Sequence, residues 1–350
     1  MKIAILYGSM TDQAPIDEQD GLIQVEAVSR ALQDLGHQPF PMSFSLDVQQ
    51  SIHLFRQIQP DIVFNLVETI DGQGRLIHLP PSILESLSIA YTGASTDAMF
   101  TTSNKVIAKK MLMGAKIPTP SFVTADTFNP KHVVKTVPCI VKSVWEHGSV
   151  GLDEDCVACL KTADQLNQKM TVLKGRMGGE CFAESYIDGR EFNLSLISKN
   201  GNGSIQILPP AEIRFVDYPA EKRQIVDYRS KWNSDSFEYH HTVRSFEFDD
   251  SDRLLLGKLK KIARTCWKLF GLRGYARVDF RVDSAGQPWV LEVNANPCIS
   301  PDSGFVAAAK KAGLSFTQVV KRIMDGPLSQ YTAISGKKLN EAPWKIAVNQ

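Results

Sequence analysis

Apolar and polar positions along the chain change period several times, and each period predicts an element. Lys2 to Tyr7 reads as a first strand, ending at Gly8-Ser9. A loop rich in Asp, Gln and Pro follows from Thr11 to Asp20, then a helix to about Leu35. Leu22, Val25, Val28, Leu32 and Leu35 are expected as its buried stripe, with Gly36 just past its end. Residues 60–67 form another strand, Ile83 to Leu87 a helix, and Ile89 to Gly93 a short strand and turn. This strand–helix–strand alternation implies a parallel α/β lobe. Thr101 to Met113 is a lysine-bearing helix stopped by Gly114, with Pro118 and Pro120 marking a boundary. A smaller lobe follows, with a strand ending at Lys142, a loop from Trp145 to Gly151, and strands at 180–187 and 191–196. Residues 215–241 are polar, aromatic and without period, which fits either a lid or a surface excursion. Leu254 to Phe270 is an amphipathic helix with Leu255, Leu259, Ile262, Cys266 and Leu269 on one face. Asp302 to Ala312 and Ser315 to Met324 are terminal helices, and residues 326–350 read as a loosely docked tail.

The most regular alternation lies between Tyr275 and Pro297. Ala276, Val278, Phe280 and Val282 alternate with Arg277, Asp279, Arg281 and Asp283, and Val290 to Asn294 returns antiparallel to them. With Ala285-Gly286 as a two-residue loop, Asp279 faces Glu292 and Arg277 faces Asn294. Facing carboxylates repel unless a cation lies between them. Their oxygens are hard donors that suit magnesium, which also binds phosphates. Two readings follow: the magnesium–nucleotide end of an active site, or a solvated polar face on which Arg277 and Arg281 neutralise the acids.

Composition narrows the field. The chain has 350 residues, enough for two or three lobes around more than one core. Net charge is +1, from 39 basic and 38 acidic residues, which gives no argument for nucleic acid or an anionic membrane as partner. No apolar run approaches a membrane span, and the start, MKIAILYGS, has no signal-peptide pattern. Six scattered cysteines include one Cys156-x-x-Cys159 without a second pair, read as structural, so a reduced, cytoplasmic protein is expected. The first lobe has neither GxGxxG nor a Walker loop, and its ligand edge is expected at the loops after the first strand and at Glu68–Arg75.

Taken in order, the lysine helix, the strand ending in Lys142, the Glu146-His147-Gly148-Ser149-Val150-Gly151 loop, Glu184-x-x-Ile187 with Glu191, Lys231 and the hairpin resemble an ATP-grasp enzyme. The resemblance is to the D-alanine–D-alanine ligase family and covers about residues 1–325. It implies an α/β (α+β lobes) ATP-grasp fold, with lobes at 1–100, 101–183 and 184–325 and a tail at 326–350. It implies an ATP-dependent carboxylate–amine ligase working through an acyl phosphate on small amino-acid or amine substrates. Two magnesium ions are implied, with manganese as an alternative, and a homodimer through the first lobe. By the same resemblance, Lys105 and Lys142 hold the nucleotide phosphates. Glu184 accepts from the adenine amine, Ile187 meets the ring edge, and Glu191 binds the ribose. Lys231 reaches the γ-phosphate from the lid, Arg277 and Ser149 act at the reacting centre, and Asp279, Glu292 and Asn294 ligate the metal. Ser303 binds the carboxylate of the second substrate.

Departures from the family fall on the substrate side. Gln19 aligns with a glutamate that binds the first substrate's amino group, leaving Glu18 or Asp20 as substitutes. His147 enters the phosphate loop, Trp232 replaces a lid tyrosine, and Cys298 stands where the family has glycine. His147 is either a substrate contact, a base or a loop-positioning residue. His240-His241 reads as a solvated pair rather than a metal site. Two rivals to ligation stay open: phosphoryl transfer to a hydroxyl on the same frame, and a nucleotide-binding regulatory protein.

Overall fold

The computed structural model describes residues 1–10, 16–124, 138–159, 162–199 and 204–335. Three sheets carry it. The first is parallel, in the order β2-β1-β3, with β1 Lys2–Gly8, β2 Gln38–Phe44 and β3 Ile62–Asn65. Ile3 and Ile5 point to one core and Ala4 and Leu6 to another, as a parallel strand covered on both faces requires. Helix α1 (Ile16–Asp34) covers one face, and α2 (Val48–Ile58) and α3 (Leu79–Ser86) the other. Helix α1 starts earlier than the sequence suggests, at Ile16. Val25, Val28 and Leu32 are buried as expected, whereas Leu22 is 49% exposed, because the first turns overhang the sheet edge near the site.

The expected helix at 101–113 is two helices, α4 (Thr96–Ser103) and α5 (Lys105–Gly114). Asn104 leaves the helical region, and its side chain accepts from the Ile107 N–H to cap α5. The second sheet is antiparallel, in the order β4-β7-β5-β6, with β4 Phe122–Thr124, β5 Cys139–Ser143, β6 Val157–Ala158 and β7 Cys181–Ser185. Helix α6 (Ala163–Leu173) packs on it through Leu166, Met170 and Leu173.

The third sheet runs β11-β10-β8-β12-β13, with β9 pairing the far end of β8, Leu196–Lys199, beyond the reach of β10. Its strands are β8 Arg190–Lys199, β9 Ser204–Ile207, β10 Ala211–Phe215, β11 Thr242–Ser245, β12 Tyr275–Val282 and β13 Pro288–Asn294. Between β10 and β11 lie two short helices, α7 (Tyr228–Trp232) and α8 (Phe237–His241). Helix α9 (Arg253–Leu269) buries Leu259, Ala263 and Cys266 against Ala276, Val278 and Phe280. This leaves the other face of β12 to Arg277, Asp279 and Arg281.

Helices α10 (Gly304–Lys311) and α11 (Phe316–Ser335) join the third sheet to the first, with Phe305, Val319, Val320 and Ile323 in one core with Val28 and Leu32 of α1. Helix α11 runs through residue 326 to Ser335, where a loose tail was expected. Its apolar spacing continues through Val320, Met324 and Leu328, which keeps that face on the core. Residues 336–350 of the expected tail, and 11–15 of the expected first loop, lie outside the described residues. Among the described residues no helix is long and apolar enough to cross a membrane.

Candidate active site

All three sheets meet at one cavity of about 700 Å³. Glu18, Lys105, Lys142, Ser149, Glu184, Ile187, Glu191, Lys231, Arg277, Asp279, Glu292, Asn294 and Ser303 all line it. Gln19 does not appear on its wall, whereas Asp20 and Glu68 do.

The hairpin supplies the floor. Asp279 pairs with Glu292 and Arg277 with Asn294, in the register the alternation predicts. The route to that register differs from a two-residue loop. The strands slip by one residue between Asp279 and Phe280, and the turn is correspondingly wider. Asp283 organises that turn, accepting from the N–H groups of Ala285 and Gln287 and from the Trp289 indole. The polar face is not solvated. Asp279, Arg281 and Asn294 are only 5%, 4% and 8% exposed.

Asp279 takes two bonds from Arg277 at 2.8 Å, one from Asn193 at 2.8 Å and one from Asn294 at 3.1 Å. Burial, together with the facing Glu292, raises its pKa against the pull of Arg277. Glu292 is driven the other way. Burial opposes its charge, but Lys105, His147, Lys231 and Arg277 outweigh that and lower its pKa. Asp279, Glu292 and Asn294 thus offer oxygen donors, in an acid pair, one buried and one half-buried, whose repulsion a cation would relieve. That donor set fits magnesium or manganese.

Around this floor stand the cations. Lys105 lies 3.8 Å from Glu292 and donates to the Glu146 carbonyl at 2.6 Å. Burial lowers its pKa, and Glu292 offsets part of that. Glu184, 2% exposed, pairs with Lys142 at 2.8 Å and also with Lys109. The carboxylate that the resemblance assigns to an adenine amine is therefore engaged by two lysines, because a buried charge needs paired neighbours. Lys142 is pushed up in pKa, as Glu184 and Glu292 overcome the burial penalty. Glu191 is likewise engaged, by Arg281 at 2.9 Å. Lys231 has no ion pair among the described residues, and burial and Arg277 lower its pKa. Lys109, Asn193 and Arg281 were not singled out as site residues by sequence. Asn193 and Arg281 come opposite Asp279 and Glu191 only once strands are paired, and Lys109 reaches Glu184 from α5.

Two loops close the cavity. The Glu146 carboxylate accepts from the Gly74 N–H at 3.2 and 3.3 Å, joining the first lobe to the phosphate-side loop. A Cβ at Gly74 would sit 2.8 Å from the Trp145 carbonyl oxygen, so only glycine permits that approach. From the other side, Ser149 donates to the Val226 carbonyl at 2.8 Å and Trp232 donates its indole N–H to Gly148 at 3.1 Å. The 215–241 segment is thus a lid pinned onto the loop. Gly148 and Ser149 both have positive φ, 66° and 64°, which turns the loop under the lid. The Ser149 hydroxyl is spent on this pin, and the Ser303 hydroxyl caps α10 by accepting from Val306.

Residues 119–325, more than half of the chain, match the family model described as D-ala D-ala ligase C-terminus. The chain belongs to this ligase family. It is an ATP-dependent ligase that forms C–N bonds. It is 29% identical to an uncharacterized protein, y4sG, of Sinorhizobium fredii over 91% of each chain. It is 28% identical to a D-alanine–D-alanine ligase of Moorella thermoacetica, covering 93% of this chain and 98% of the relative. Its fold is that of a Bacillus anthracis D-alanine–D-alanine ligase solved with ATP, with TM-score 0.70, 20% identity, and coverage of 95% and 99%. The fold is therefore ATP-grasp, as the motif order implies.

On its substrate side the ligase builds a network that no local motif announces. Asp20 accepts from Ser300 at 2.6 Å and from the Cys298 thiol at 3.0 Å. Gln24 donates to Glu68 at 2.7 Å, and its carbonyl accepts from the Ile299 N–H at 2.9 Å. Burial, with Glu68 and Asp20 close by, raises the Cys298 pKa well above the ordinary thiol range, which suits a thiol that donates to Asp20. Across the cavity Arg244, at the rim, reaches the Asp302 carbonyl at 3.5 Å. His241 stacks on Phe237 and faces the Val216 carbonyl. Among the described residues no group of three His, Cys, Asp or Glu is placed to hold a metal by itself.

Proposed function

We propose that the ligase activates a carboxylate as an acyl phosphate and transfers the acyl group to an amine, with amino acids as substrates. One observation carries the reading: opposed Asp279 and Glu292 sit on the floor of a cavity whose walls hold Lys105, Lys142, Lys231 and Arg277. Such a site neutralises a polyphosphate and favours a transferring phosphoryl group. Asp279, Glu292 and Asn294 are the residues that would hold a divalent ion, which supplies charge neutralisation at the phosphates. Lys231, half-buried and without an ion pair among the described residues, approaches from the lid, and Arg277 faces the developing oxyanion. Ile187 and Glu191 line the nucleotide end, and the lobes divide near residues 100 and 183.

Donor and acceptor take opposite walls. Glu18, Asp20 and Glu68 form an acidic wall suited to the donor's ammonium, and Ser303 and Arg244 suit the acceptor's carboxylate. The relatives named D-alanine–D-alanine ligase make D-alanine the first substrate to test. The test is ADP and phosphate release over a panel of D- and L-amino acids, alone and in pairs, with mass spectrometry of products. An amide formed with equal ADP and phosphate supports the reading. ADP formed without free phosphate would replace ligation with phosphoryl transfer to a hydroxyl.

Lid closure has its own consequence. Trp232→Phe removes the bond to Gly148 and keeps an aromatic ring, though a smaller one. We expect about tenfold lower kcat/KM and a higher ratio of phosphate released to amide formed, as water reaches the activated acid. An unchanged ratio would show that the indole N–H does not help hold the lid.

A further inference from the structure

Asp20 lies half-buried on the cavity wall, and the protein treats its two carboxylate oxygens differently. Every side-chain donor that reaches it arrives at Oδ2. The Ser300 hydroxyl does so at 2.6 Å, the Cys298 thiol at 3.0 Å and the Gln24 amide at 3.5 Å. Oδ1 has no hydrogen-bond partner among the described residues, and no Lys, Arg or His there pairs with Asp20.

The protons of this clamp balance. Ser300 gives its hydroxyl proton to Oδ2. Cys298 has one thiol proton, with Oδ2 at 3.0 Å and the Ser300 oxygen at 3.3 Å, and the nearer, charged acceptor takes it. The sulfur in turn accepts from the Ser300 N–H at 3.4 Å, which fixes its direction. Gln24 uses one amide proton on Glu68 at 2.7 Å and the other on Asp20, and its carbonyl takes the Ile299 N–H. Gln24 and Ser300 are buried, so the carboxylate is held in one orientation from behind. Its second oxygen keeps its lone pairs for a donor that the chain itself does not supply. A carboxylate without a cation partner, beside Glu68 on the same wall, selects a donor that is positively charged.

We propose that Cys298 is a positioning residue for substrate selection: with Ser300 it holds Oδ2 of Asp20, so that Oδ1 accepts a hydrogen bond from the ammonium of the substrate whose carboxylate is activated. The proposal rests on the donor reading above and deepens it. Of the acidic wall, Asp20 is the residue that touches this substrate, and the substrate carries a free ammonium. The thiol is what lets the end of the hairpin reach α1. A glycine at this position, as in the family that the sequence resembles, has no side-chain donor to offer.

The test uses the full chain with Mg-ATP and two probes of one carbon skeleton, D-alanine and propionate, which lacks the ammonium. Hydroxylamine serves both as a small common acceptor, and the hydroxamate formed gives kcat and KM for each acid. The intact protein is expected to prefer D-alanine at least ~100-fold in kcat/KM. Cys298→Ala is expected to raise the KM for D-alanine about tenfold, with kcat, the KM for ATP and the propionate reaction little changed. Cys298→Ser, which keeps a donor, is expected to recover most of the loss. Asp20→Asn is expected to abolish the preference. An unchanged KM for D-alanine in Cys298→Ala overturns the proposal. Equal weakening toward both acids overturns it too, since that marks a purely structural role. In both cases a preference lost in Asp20→Asn leaves the donor reading standing. An intact protein that uses neither acid, or both equally, overturns the donor reading and the proposal with it. If Cys298→Ala does not fold, Ser300→Ala removes the other donor to Oδ2 and decides in its place, with the same split expected.

Discussion

Glu292→Ala is expected to reduce ADP release at least ~100-fold while leaving the melting temperature little changed. The large kinetic effect follows from position. Glu292 faces Asp279 across the hairpin and is surrounded by Lys105, His147, Lys231 and Arg277. Removing it deletes one of the two carboxylates that would hold the divalent ion and takes from Lys105 its ion-pair partner, leaving the bond to the Glu146 carbonyl. The small stability effect follows from opposing terms. The variant loses the attraction to Lys105 at 3.8 Å but also loses the repulsion of Asp279. Glu292→Gln, which keeps the shape without the charge, should be nearly as slow. Steady-state ADP release and a thermal melt of both variants make the check. Near-normal turnover would take the hairpin out of the mechanism.

Lys109→Met is expected to act on the fold, at about 3–5 kcal/mol of stability. The Lys109 and Glu184 side chains are 2% and 1% exposed, and Lys109 also donates to Thr119 at 2.8 Å. Thr119 in turn donates to the Val290 carbonyl at 2.8 Å, so one ammonium ties α5, the second sheet and the hairpin together. Methionine fills the volume but leaves Glu184 with Lys142 as its one remaining ion-pair partner among the described residues. Urea unfolding measures the loss. The double variant Lys109→Met/Glu184→Gln should be more stable than Lys109→Met alone, because it no longer buries an undercompensated carboxylate. If the double variant is the less stable, the loss comes from packing and not from the ion pair.

The sequence disclosed most where chemistry and period coincide. Arg277, Asp279, Glu292 and Asn294 alternate with core residues, so their common face was readable from the hairpin alone, even though a bulge and not a two-residue turn sets the register. Lys105 was readable as a helix lysine, but the break at Asn104 that starts α5 at Lys105 was not, since the apolar spacing runs across it. Asn104 itself, a strong N-cap residue, was the available signal. Asn193 and Arg281 act through partners on neighbouring strands, and Lys109, on α5, through Glu184 on β7, which no local period reports. The Asp20–Cys298–Ser300 contacts join residues about 280 positions apart. Such a network follows from how α1 seats against the end of the hairpin, and it shapes one wall of the cavity.

The bond between Glu146 and the Gly74 N–H carries a thermodynamic consequence. On the proposed reading it fastens the lobe that would receive the donor to the loop that would cover the phosphates, so neither would close alone. Whichever substrate arrives first meets part of the cost of ordering both loops, and the second arrives at a site already shaped. By linkage the effect is mutual: if bound nucleotide tightens donor binding by some factor, bound donor tightens nucleotide binding by the same factor. Cutting the clasp at Glu146 would then leave two nearly independent sites, each weaker when the other is filled than it is in the intact protein.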